Sequence, residues 1–145
     1  MRVDFIKLDS KAIVPTYGTE FSAGADLYSL PGNKITVKAG ETVMIHTGIA
    51  LQIPDGYVGL VYARSGIATK RGLAPANKVG VIDSDYRGEI MVSIHNHSGI
   101  DQIIDDGERV AQLVIAPYLK ADFYEVDSLD ETTRSTGGFG STGTK

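Results

Sequence analysis

Short apolar runs, separated by glycine, proline and polar residues, recur along the whole chain. Within most runs, β-branched or aromatic residues alternate with polar ones, which is the period of a half-buried strand. The pattern predicts strands at 3–8, within 20–30, and at 34–37, 42–47, 49–53, 57–63, 100–104, 109–116 and 122–126. Glycine, with 17 copies, marks many of the turns between the runs. Many short strands joined by turns predict an all-β protein.

The stretch 79–94 is the centre of this pattern. Two β-branched runs, 79–82 and 90–94, flank a short polar connection that ends in Gly88. Two such runs with a glycine-containing connection predict a β-hairpin.

The predicted turn of this hairpin carries an acid, an aromatic ring and a base. The first run ends at Asp83, and Tyr86 and Arg87 follow closely. A strand end is a good position for a reaction, because the sheet holds it rigid. Asp and Ser are also ordinary turn residues, since they bond their own backbone. The local sequence leaves both interpretations open.

One short helix is predicted over 67–72. Ser65 is the expected N-cap and Gly72 suits the C′ position. Arg64 lies beside the helix start, where free backbone N–H groups and the helix dipole attract anions. The segment therefore predicts an anion site, and a capped connector with a surface arginine is the alternative.

Composition narrows the class of protein. A chain of 145 residues is long enough for one domain with a core. Its net charge of −4 argues against a nucleic-acid partner. The absence of cysteine excludes disulfides, thiolate nucleophiles and cysteine-based zinc sites. No apolar run has the length of a membrane span and no signal-peptide core is present, so we expect an intracellular, cytoplasmic protein with no membrane partner.

Other polar positions are weaker candidates. Asp26 lies on a predicted strand among small neighbours, and an exposed strand carboxylate is the alternative. Gln112 shares a strand face with apolar residues, where an amide usually has an assigned partner. His95 and His97 share a strand face and allow a metal pair, but no third ligand stands at a telling spacing.

The C-terminal stretch has a different composition. Residues 127–133 are acidic and polar and are interpreted as a linker. The glycine-rich stretch 134–143 includes Gly-x-Gly-x-x-Gly, but nothing follows it to form the helix of a dinucleotide site. Its arginine, hydroxyls and single phenylalanine suit a lid that wraps phosphates and stacks on a base. A solvated tail is the alternative.

Five sequence blocks combine these features in a fixed order. They are Ala-Gly-Ala-Asp-Leu at 23–27, Ala-Arg-Ser-Gly at 63–66, Gly-Val-Ile-Asp-Ser-Asp-Tyr-Arg-Gly at 80–88, Gly-Glu-Arg-Val-Ala-Gln at 107–112 and Arg-Ser-Thr-Gly-Gly-Phe-Gly-Ser-Thr-Gly at 134–143. Together they resemble the five-motif signature of the homotrimeric dUTPases. The resemblance implies a distorted jelly-roll β-barrel over 1–126 with one short helix. It also implies a linker and flexible arm over 127–145 that closes over a composite active site of the trimer.

The resemblance implies hydrolysis of dUTP to dUMP and pyrophosphate by attack of water on the α-phosphorus. Such an enzyme limits uracil incorporation into DNA and supplies dUMP for dTMP synthesis. The implied cofactor is Mg²⁺, held by the substrate phosphates and water without direct protein ligands. The side chains implied in catalysis are Asp83, Gln112, Arg64 and Asp26. Asp83 resembles the carboxylate that deprotonates the water, and Asp26 and Gln112 would lie near the metal's water shell.

The implied substrate-binding residues are Ser65, Gly66, Asn77, Gly80, Val81, Ile82, Tyr86, Arg134, Gly138, Phe139, Gly140, Ser141 and Thr142. The first two resemble a phosphate loop, and Asn77 with 80–82 resembles the edge that reads uracil. Tyr86 resembles the residue that packs on the deoxyribose and leaves no room for a 2′-OH. Arg134 looks like the γ-phosphate clamp, and Phe139 like the lid aromatic over the uracil.

Two departures from the family pattern are small. Ala63 stands where proline is frequent, and Ser135-Thr136 where charged residues are frequent. The rival functions are a dCTP deaminase of the same fold and a non-catalytic binding module. A nuclear location is compatible with the sequence if the source is eukaryotic.

Overall fold

The computed structural model describes residues 1–32 and 34–138. Over these residues the chain forms strands and one short helix, in the order β1 (Asp4–Lys7), β2 (Thr16–Tyr17), β3 (Ala25–Tyr28), β4 (Ile35–Val37), β5 (Thr42–Gln52), β6 (Tyr57–Tyr62), α1 (Ser65–Arg71), β7 (Leu73–Pro75), β8 (Gly80–Ile82), β9 (Glu89–Asn96), β10 (Gln102–Ile104) and β11 (Arg109–Pro117). Most of the predicted strands are therefore confirmed. The seven-residue α1 is the only helix in the described part, and it is too short to cross a membrane.

The strands form antiparallel sheets. The larger sheet has the order β2-β3-β11-β6-β8, a second has the order β1-β5-β9-β7, and a two-stranded ribbon joins β10 to β4. Neighbours in a sheet are mostly distant in sequence, because the chain crosses repeatedly from one sheet to another. This all-β, jelly-roll-like architecture is the predicted fold class.

The core lies between the sheets and is built from aliphatic side chains. On β9, Ile90, Val92 and Ile94 are buried while Met91 is exposed, which is the alternation of a strand with one face on the core. Each fully buried aliphatic side chain contributes roughly 1.5–3 kcal/mol of hydrophobic free energy. This core holds the strands, and hence the strand ends that carry polar side chains, in fixed positions.

The predicted hairpin over 79–94 is wrong. Strand β8 pairs with β6 in the larger sheet, with Ile82 opposite Gly59. Strand β9 instead lies between β5 and β7 in the other sheet. The connection 83–88 therefore crosses from one sheet to the other. Alternation shows which face of a strand is buried but not which strand is its partner, and this limit led to the error.

The predicted strands at 42–47 and 49–53 are one strand, β5, with an irregularity in its middle. Its register with β9 shifts between His46 and Ala50, as in a β-bulge. Gly48 lies within this shift at a φ of 70°, which favours glycine. A Cβ at Gly48 would lie 2.9 Å from the Ala12 Cβ, so the position also has no space for a side chain.

Two further local predictions need correction. The stretch 122–126 forms no strand and its side chains are exposed. The helix begins at Ser65, with Arg64 as N-cap and no side-chain capping bond, so the prediction that Ser65 is the N-cap is wrong by one residue. The helix end was predicted correctly, because Gly72 adopts the left-handed conformation with a φ of 68°.

Candidate active site

A row of polar side chains crosses the larger sheet. Asp26 on β3 lies opposite Gln112 on β11, and Gln112 lies opposite Tyr62 on β6. Thr16 on β2 lies opposite Asp26 and extends the row to the sheet edge. Residues directly opposite each other in antiparallel strands point to the same face, about 4.5–5.5 Å apart. Strand pairing thus brings together side chains that are up to 96 residues apart in the sequence.

Asp26 is buried and bound by two arginines. Its Oδ1 accepts a hydrogen bond from Arg64 Nε at 2.6 Å, and its Oδ2 accepts one from Arg109 at 3.3 Å. Asp26 is 7% exposed, so an unpaired charge there would be costly. Two cations against one anion leave a net positive charge on this part of the surface.

Gln112 is held at the centre of the row. Its Nε2 donates to the Ala63 carbonyl at 2.8 Å. A Cβ on Gly24 would lie 2.5 Å from Gln112 Oε1, so the amide occupies space that only a glycine at that position leaves free. The amide is therefore fixed on both sides, as a group that contacts a ligand should be.

A cavity of about 420 Å³ opens over this row. Asp26, Arg64, Ser65, Arg109 and Gln112 all line it. Ser65 begins α1, so the cavity also includes the start of a helix, where backbone N–H groups point outward. This positive pocket is chemically suited to an anion, and the anion-binding role of Arg64 and Ser65 stays a prediction.

Arg109 was missed as a site residue. In the sequence it stands within the block 107–112, without a predicted role of its own. The signal that could have identified it is a cation at the start of a predicted strand, three residues before Gln112. Its partner Asp26 is 83 residues away, so the ion pair between them could not be inferred from the sequence.

A second group of predicted residues lies around Asp83. Asp83 directly follows β8, is exposed, and lines two hollows of about 550 and 220 Å³. Tyr86 lines the smaller one, and its hydroxyl donates to the Glu89 carbonyl at 3.0 Å. The Tyr86 ring lies so close to Gly88 that a Cβ there would overlap it. Val81 lines both hollows, and Ile82 lines the smaller one.

Asn77 and Gly80 lie at the other end of β8. A Cβ on Gly80 would lie 3.5 Å from Asn77 Nδ2 and 3.1 Å from the Val61 Cβ. The Asn77 carbonyl accepts from the Val79 backbone N–H at 2.8 Å, which makes a tight turn into the strand. This end of β8 presents a backbone edge beside the exposed Asn77 side chain.

The two groups of site residues are not brought together within one chain. The hollows at Asp83 include none of Asp26, Arg64 and Gln112, and the cavity at Arg64 does not include Asp83. In the register of β6 with β8, Asp83 follows the pair Ile82–Gly59, whereas Arg64 lies beyond the far end of β6. Along β6, the position beside Asp83 and the position of Arg64 are about six strand residues apart, which is about 20 Å.

The predicted arm is described only in part. Arg134 is exposed, and its Nε donates to the Gly137 carbonyl at 3.1 Å. Gly138 is also exposed. The remaining predicted arm residues lie outside the described residues: Phe139, Gly140, Ser141 and Thr142.

Carboxylates that could serve a metal ion are dispersed. Among residues 1–32 and 34–138 there is no group of three or more His, Cys, Asp or Glu side chains that could hold an ion. Both oxygens of Asp26 are engaged by arginines. These described donors therefore form no protein cage for an ion.

Glu89 lines the smaller hollow together with Asp83 and Tyr86. Burial raises the pKa of Glu89, but hydrogen bonds from His46 and the Gly48 backbone N–H outweigh it, and the pKa lies below its usual value. Glu89 Oε1 accepts from Gly48 N at 2.7 Å, and Oε2 lies 2.8 Å from His46 Nδ1. The carboxylate thus connects β9 to the bulge of β5.

Comparisons of the whole sequence place the chain in a family. The dUTPase family model matches residues 10–143. A deoxyuridine 5'-triphosphate nucleotidohydrolase of Desulfitobacterium hafniense is 46% identical over 144 residues, which are 99% of this chain and 95% of that protein. The protein of the same name from Syntrophotalea carbinolica is 48% identical over 137 residues, covering 94% and 93% of the two chains. The chain belongs to the dUTPase family.

Solved structures agree with this assignment. A mutant dUTPase of Staphylococcus bacteriophage 80alpha, solved with dUpNHpp, has a TM-score of 0.89 at 27% identity and covers 98% of both chains. A mutant dUTPase of phage phi11 of S. aureus has a TM-score of 0.82 at 25% identity, covering 90% of this chain and 100% of that one. That structure was described for the coordination of a structural Mg(II) ion.

Proposed function

We propose that this chain, a dUTP diphosphatase by its family, hydrolyses dUTP to dUMP and pyrophosphate through attack of water on the α-phosphorus, with Asp83 as general base. The observation that carries the proposal is the position of Asp83. Its carboxylate is exposed at the end of a strand that pairing with β6 holds in place. A base must be fixed, reachable by water and ionised, and a positioned base supplies about 10²–10⁴-fold in rate.

The triphosphate binds in the positive pocket at the Asp26 row. Arg64 and Arg109 supply the charge, Ser65 supplies a hydroxyl at the helix start, and Gln112 presents its amide to the α-phosphate. Asp26 keeps the two guanidinium groups in place through its two hydrogen bonds. Fixed donors of this kind stabilise the charge that develops on the transferring group, because they do not need to reorganise during the reaction.

Mg²⁺ is part of this proposal. When bound, it would neutralise charge on the phosphate oxygens and fix their geometry. The dispersed carboxylates of the described residues suit an ion held by the triphosphate and water, with Asp26 and Gln112 near its water shell. The chain's own contribution is then to orient the phosphates, through Arg64 and Gln112.

The nucleoside binds at β8. The backbone of 80–82 and the Asn77 amide offer hydrogen-bonding groups for the uracil edge. A tight fit of the base at this edge excludes the methyl group of thymine. Tyr86 packs on the deoxyribose and leaves no space for a 2′-OH. Selection is then largely steric, since the hydrogen-bonding edges of uracil and thymine are alike.

The complete site is assembled in a homotrimer. Support comes from the separation of about 20 Å between the levels of Asp83 and Arg64 along β6, which is too large for one phosphate to meet both in the same chain. In a cyclic trimer, Asp83 of one chain meets Arg64 and Gln112 of the next. The stretch 118–138 follows β11 without a strand and is largely exposed, so it is available to reach another chain.

The arm completes the substrate contacts. Arg134 binds the γ-phosphate, and Phe139 stacks on the uracil. Further contacts to the phosphates come from Gly138, Gly140, Ser141 and Thr142. In the cell, the reaction limits uracil incorporation into DNA and supplies dUMP for dTMP synthesis, and its setting is intracellular and cytoplasmic. No nucleic acid or membrane takes part.

The test is pyrophosphate release from dUTP, with dCTP, dTTP and UTP as parallel substrates, with and without Mg²⁺. We expect release from dUTP only, and a loss of at least about 10²-fold in kcat for Asp83→Asn with dUTP binding preserved. Asp85→Asn, two residues away and also exposed, is the matched control and should keep its activity.

Other outcomes of this assay would favour a rival. Ammonia release from dCTP would indicate a deaminase, and tight dUTP binding without turnover a binding module. Full activity of Asp83→Asn would overturn the assignment of the base while leaving the family unchanged.

A further inference from the structure

His95 and His97 form a pair of imidazoles that the proposed hydrolysis does not use. Their ring centroids are 4.4 Å apart, with an angle of 66° between the rings. The chain has three histidines and no cysteine, so two of its three imidazoles lie together. We propose that this pair chelates one divalent transition-metal ion of the class that prefers nitrogen ligands, such as Zn²⁺ or Ni²⁺.

The spacing of the two rings matches such an ion. With metal–nitrogen bonds of about 2.0–2.1 Å, two imidazoles on one ion have centroids about 4.5–5.2 Å apart for ligand angles of about 90–109°. The observed 4.4 Å lies just below this range. A small rotation of the exposed His97 ring is therefore enough to bring both rings onto one ion.

A neighbouring hydroxyl prepares His95 for this role. Its Nδ1 lies 2.8 Å from Thr42 Oγ1, on the paired strand β5. When Nδ1 donates its hydrogen to that hydroxyl, the lone pair of the ring is on Nε2, which is the form that binds a metal. Metal-ligating histidines commonly bond their other nitrogen to such a partner.

The backbone that carries the pair is held rigid by Asn96, the residue between the two histidines. Its fully buried side chain donates to the Val37 and Ile100 carbonyls at 2.9 and 2.8 Å. Its Oδ1 accepts from the Ser98 backbone N–H at 2.9 Å. The His97 backbone N–H also donates to the Gly72 carbonyl at 2.8 Å. Ligands on a fixed backbone lose little freedom when an ion binds.

The groups around the two histidines have opposing effects on metal binding. Desolvation, His95 and Lys78 lower the pKa of His97. Lys78 also repels a bound cation, and its φ of 66° is unusual for a lysine. Asparagine tolerates that conformation, so Lys78→Asn should tighten metal binding without straining the loop.

This site is chemically different from the one proposed for Mg²⁺. Mg²⁺ selects oxygen ligands, whereas Ni²⁺ and Zn²⁺ favour imidazoles. The two sites also use different residues. A metal at His95 and His97 can therefore be detected without nucleotide and without turnover, and its absence would leave the proposed hydrolysis unaffected.

The test is a calorimetric titration of the full chain with Ni²⁺ alone, in the presence of excess Mg²⁺. We expect one ion per chain, at least about 10-fold weaker binding for His97→Asn, and a loss of about 10–100-fold for Thr42→Val, which removes the partner of the His95 ring. The matched control is His46→Asn, because His46 pairs with Glu89 and should not contribute.

A second readout assigns the ligands directly. Paramagnetic Ni²⁺ should broaden the imidazole proton signals of His95 and His97 and leave those of His46 sharp. The absence of saturable Ni²⁺ binding would overturn the proposal, as would unchanged binding by a folded His97→Asn variant. Broadening confined to His46 would assign the ion to the His46–Glu89 pair and contradict the site.

Discussion

Two glycines in the candidate site leave the space that two neighbouring candidate side chains occupy. Gly88 lies under the Tyr86 ring, and Gly24 lies against the Gln112 amide. Neither has a positive φ, so an alanine at either position would be strained by contact and not by its backbone. Substitution at these positions therefore tests the neighbouring side chain without altering it.

Gly88→Ala should displace the Tyr86 ring and break its hydrogen bond to the Glu89 carbonyl. We expect kcat/KM for dUTP to fall by about 10²-fold, because small misplacements of a positioning group have effects of that size. Discrimination against UTP should narrow at the same time. Parallel kinetics with both nucleotides measure this. The control is Gly99→Ala, where a Cβ would meet nothing within 4 Å. Unchanged selectivity would contradict the role of Tyr86 at the sugar.

Gly24→Ala should push the Gln112 amide out of the row and break its bond to the Ala63 carbonyl. The far end of a flexible side chain can move, so we expect little change in melting temperature. The rate constant kcat for dUTP should fall by about 10-fold or more, since an aligned donor to the transferring group is lost. A variant that is destabilised but fully active when folded would show that the contact is only structural.

At this scale, the sequence motifs supplied most of the candidate site residues but not the contacts between them. Asp83, Arg64 and Gln112 stood out because their residue types recur in a known order of blocks. The two arginines on Asp26 did not, because the partners are 38 and 83 residues away and a sequence contains no distances.

At the scale of elements, the bulge in β5 is the feature with the clearest energetic consequence. Gly48 leaves its backbone N–H pointing at Glu89, and the largely buried carboxylate accepts it. An interrupted strand ladder would otherwise leave this donor without a partner. The Glu89 side chain of β9 thus supplies the hydrogen-bond acceptor that the bulge in β5 would otherwise lack.

Glu89→Gln should lower the free energy of unfolding by about 1–3 kcal/mol at neutral pH, since hydrogen bonds to a charged acceptor weaken. The pKa of Glu89 is lowered in the folded state, so its contribution is fully present above the unfolded pKa of about 4.3 and is lost as pH falls through the folded value. Urea unfolding of both proteins from neutral to acidic pH measures this. Glu20→Gln, at an exposed position, is the control. A difference that persists undiminished in strong acid would be inconsistent with this linkage.

Most strands were predictable because alternation is local, and β9 follows it residue by residue. The partners of β8 and β9 were not predictable, because pairing depends on the whole set of strands. That 42–47 and 49–53 form one strand was missed for a related reason. A glycine between two runs indicates either a turn or a bulge, and only the neighbouring strand distinguishes the two.

At the scale of the whole molecule, the separation of the two halves of the site predicts complementation between chains. Asp83→Ala and Arg64→Ala should each abolish turnover, because each removes one half of every site. Trimers assembled from an equal mixture should recover about one quarter of wild-type activity, since that fraction of sites combines two intact halves. Refolding the mixture and measuring pyrophosphate release tests this. Arg64→Ala mixed with Gln112→Ala is the control and should not exceed the mean activity of the two separate variants, because both changes affect the same half. No recovery in the first mixture would mean that each site lies within one chain.

The distance along β6 has a further consequence for how activity depends on protein amount. An enzyme whose active site forms only between chains has a specific activity that falls on dilution. A newly synthesised chain is inactive until it associates with others. A chain in which both groups of site residues are defective inactivates the two active sites to which it contributes. Loss of function in a mixed population would then exceed the share of defective chains.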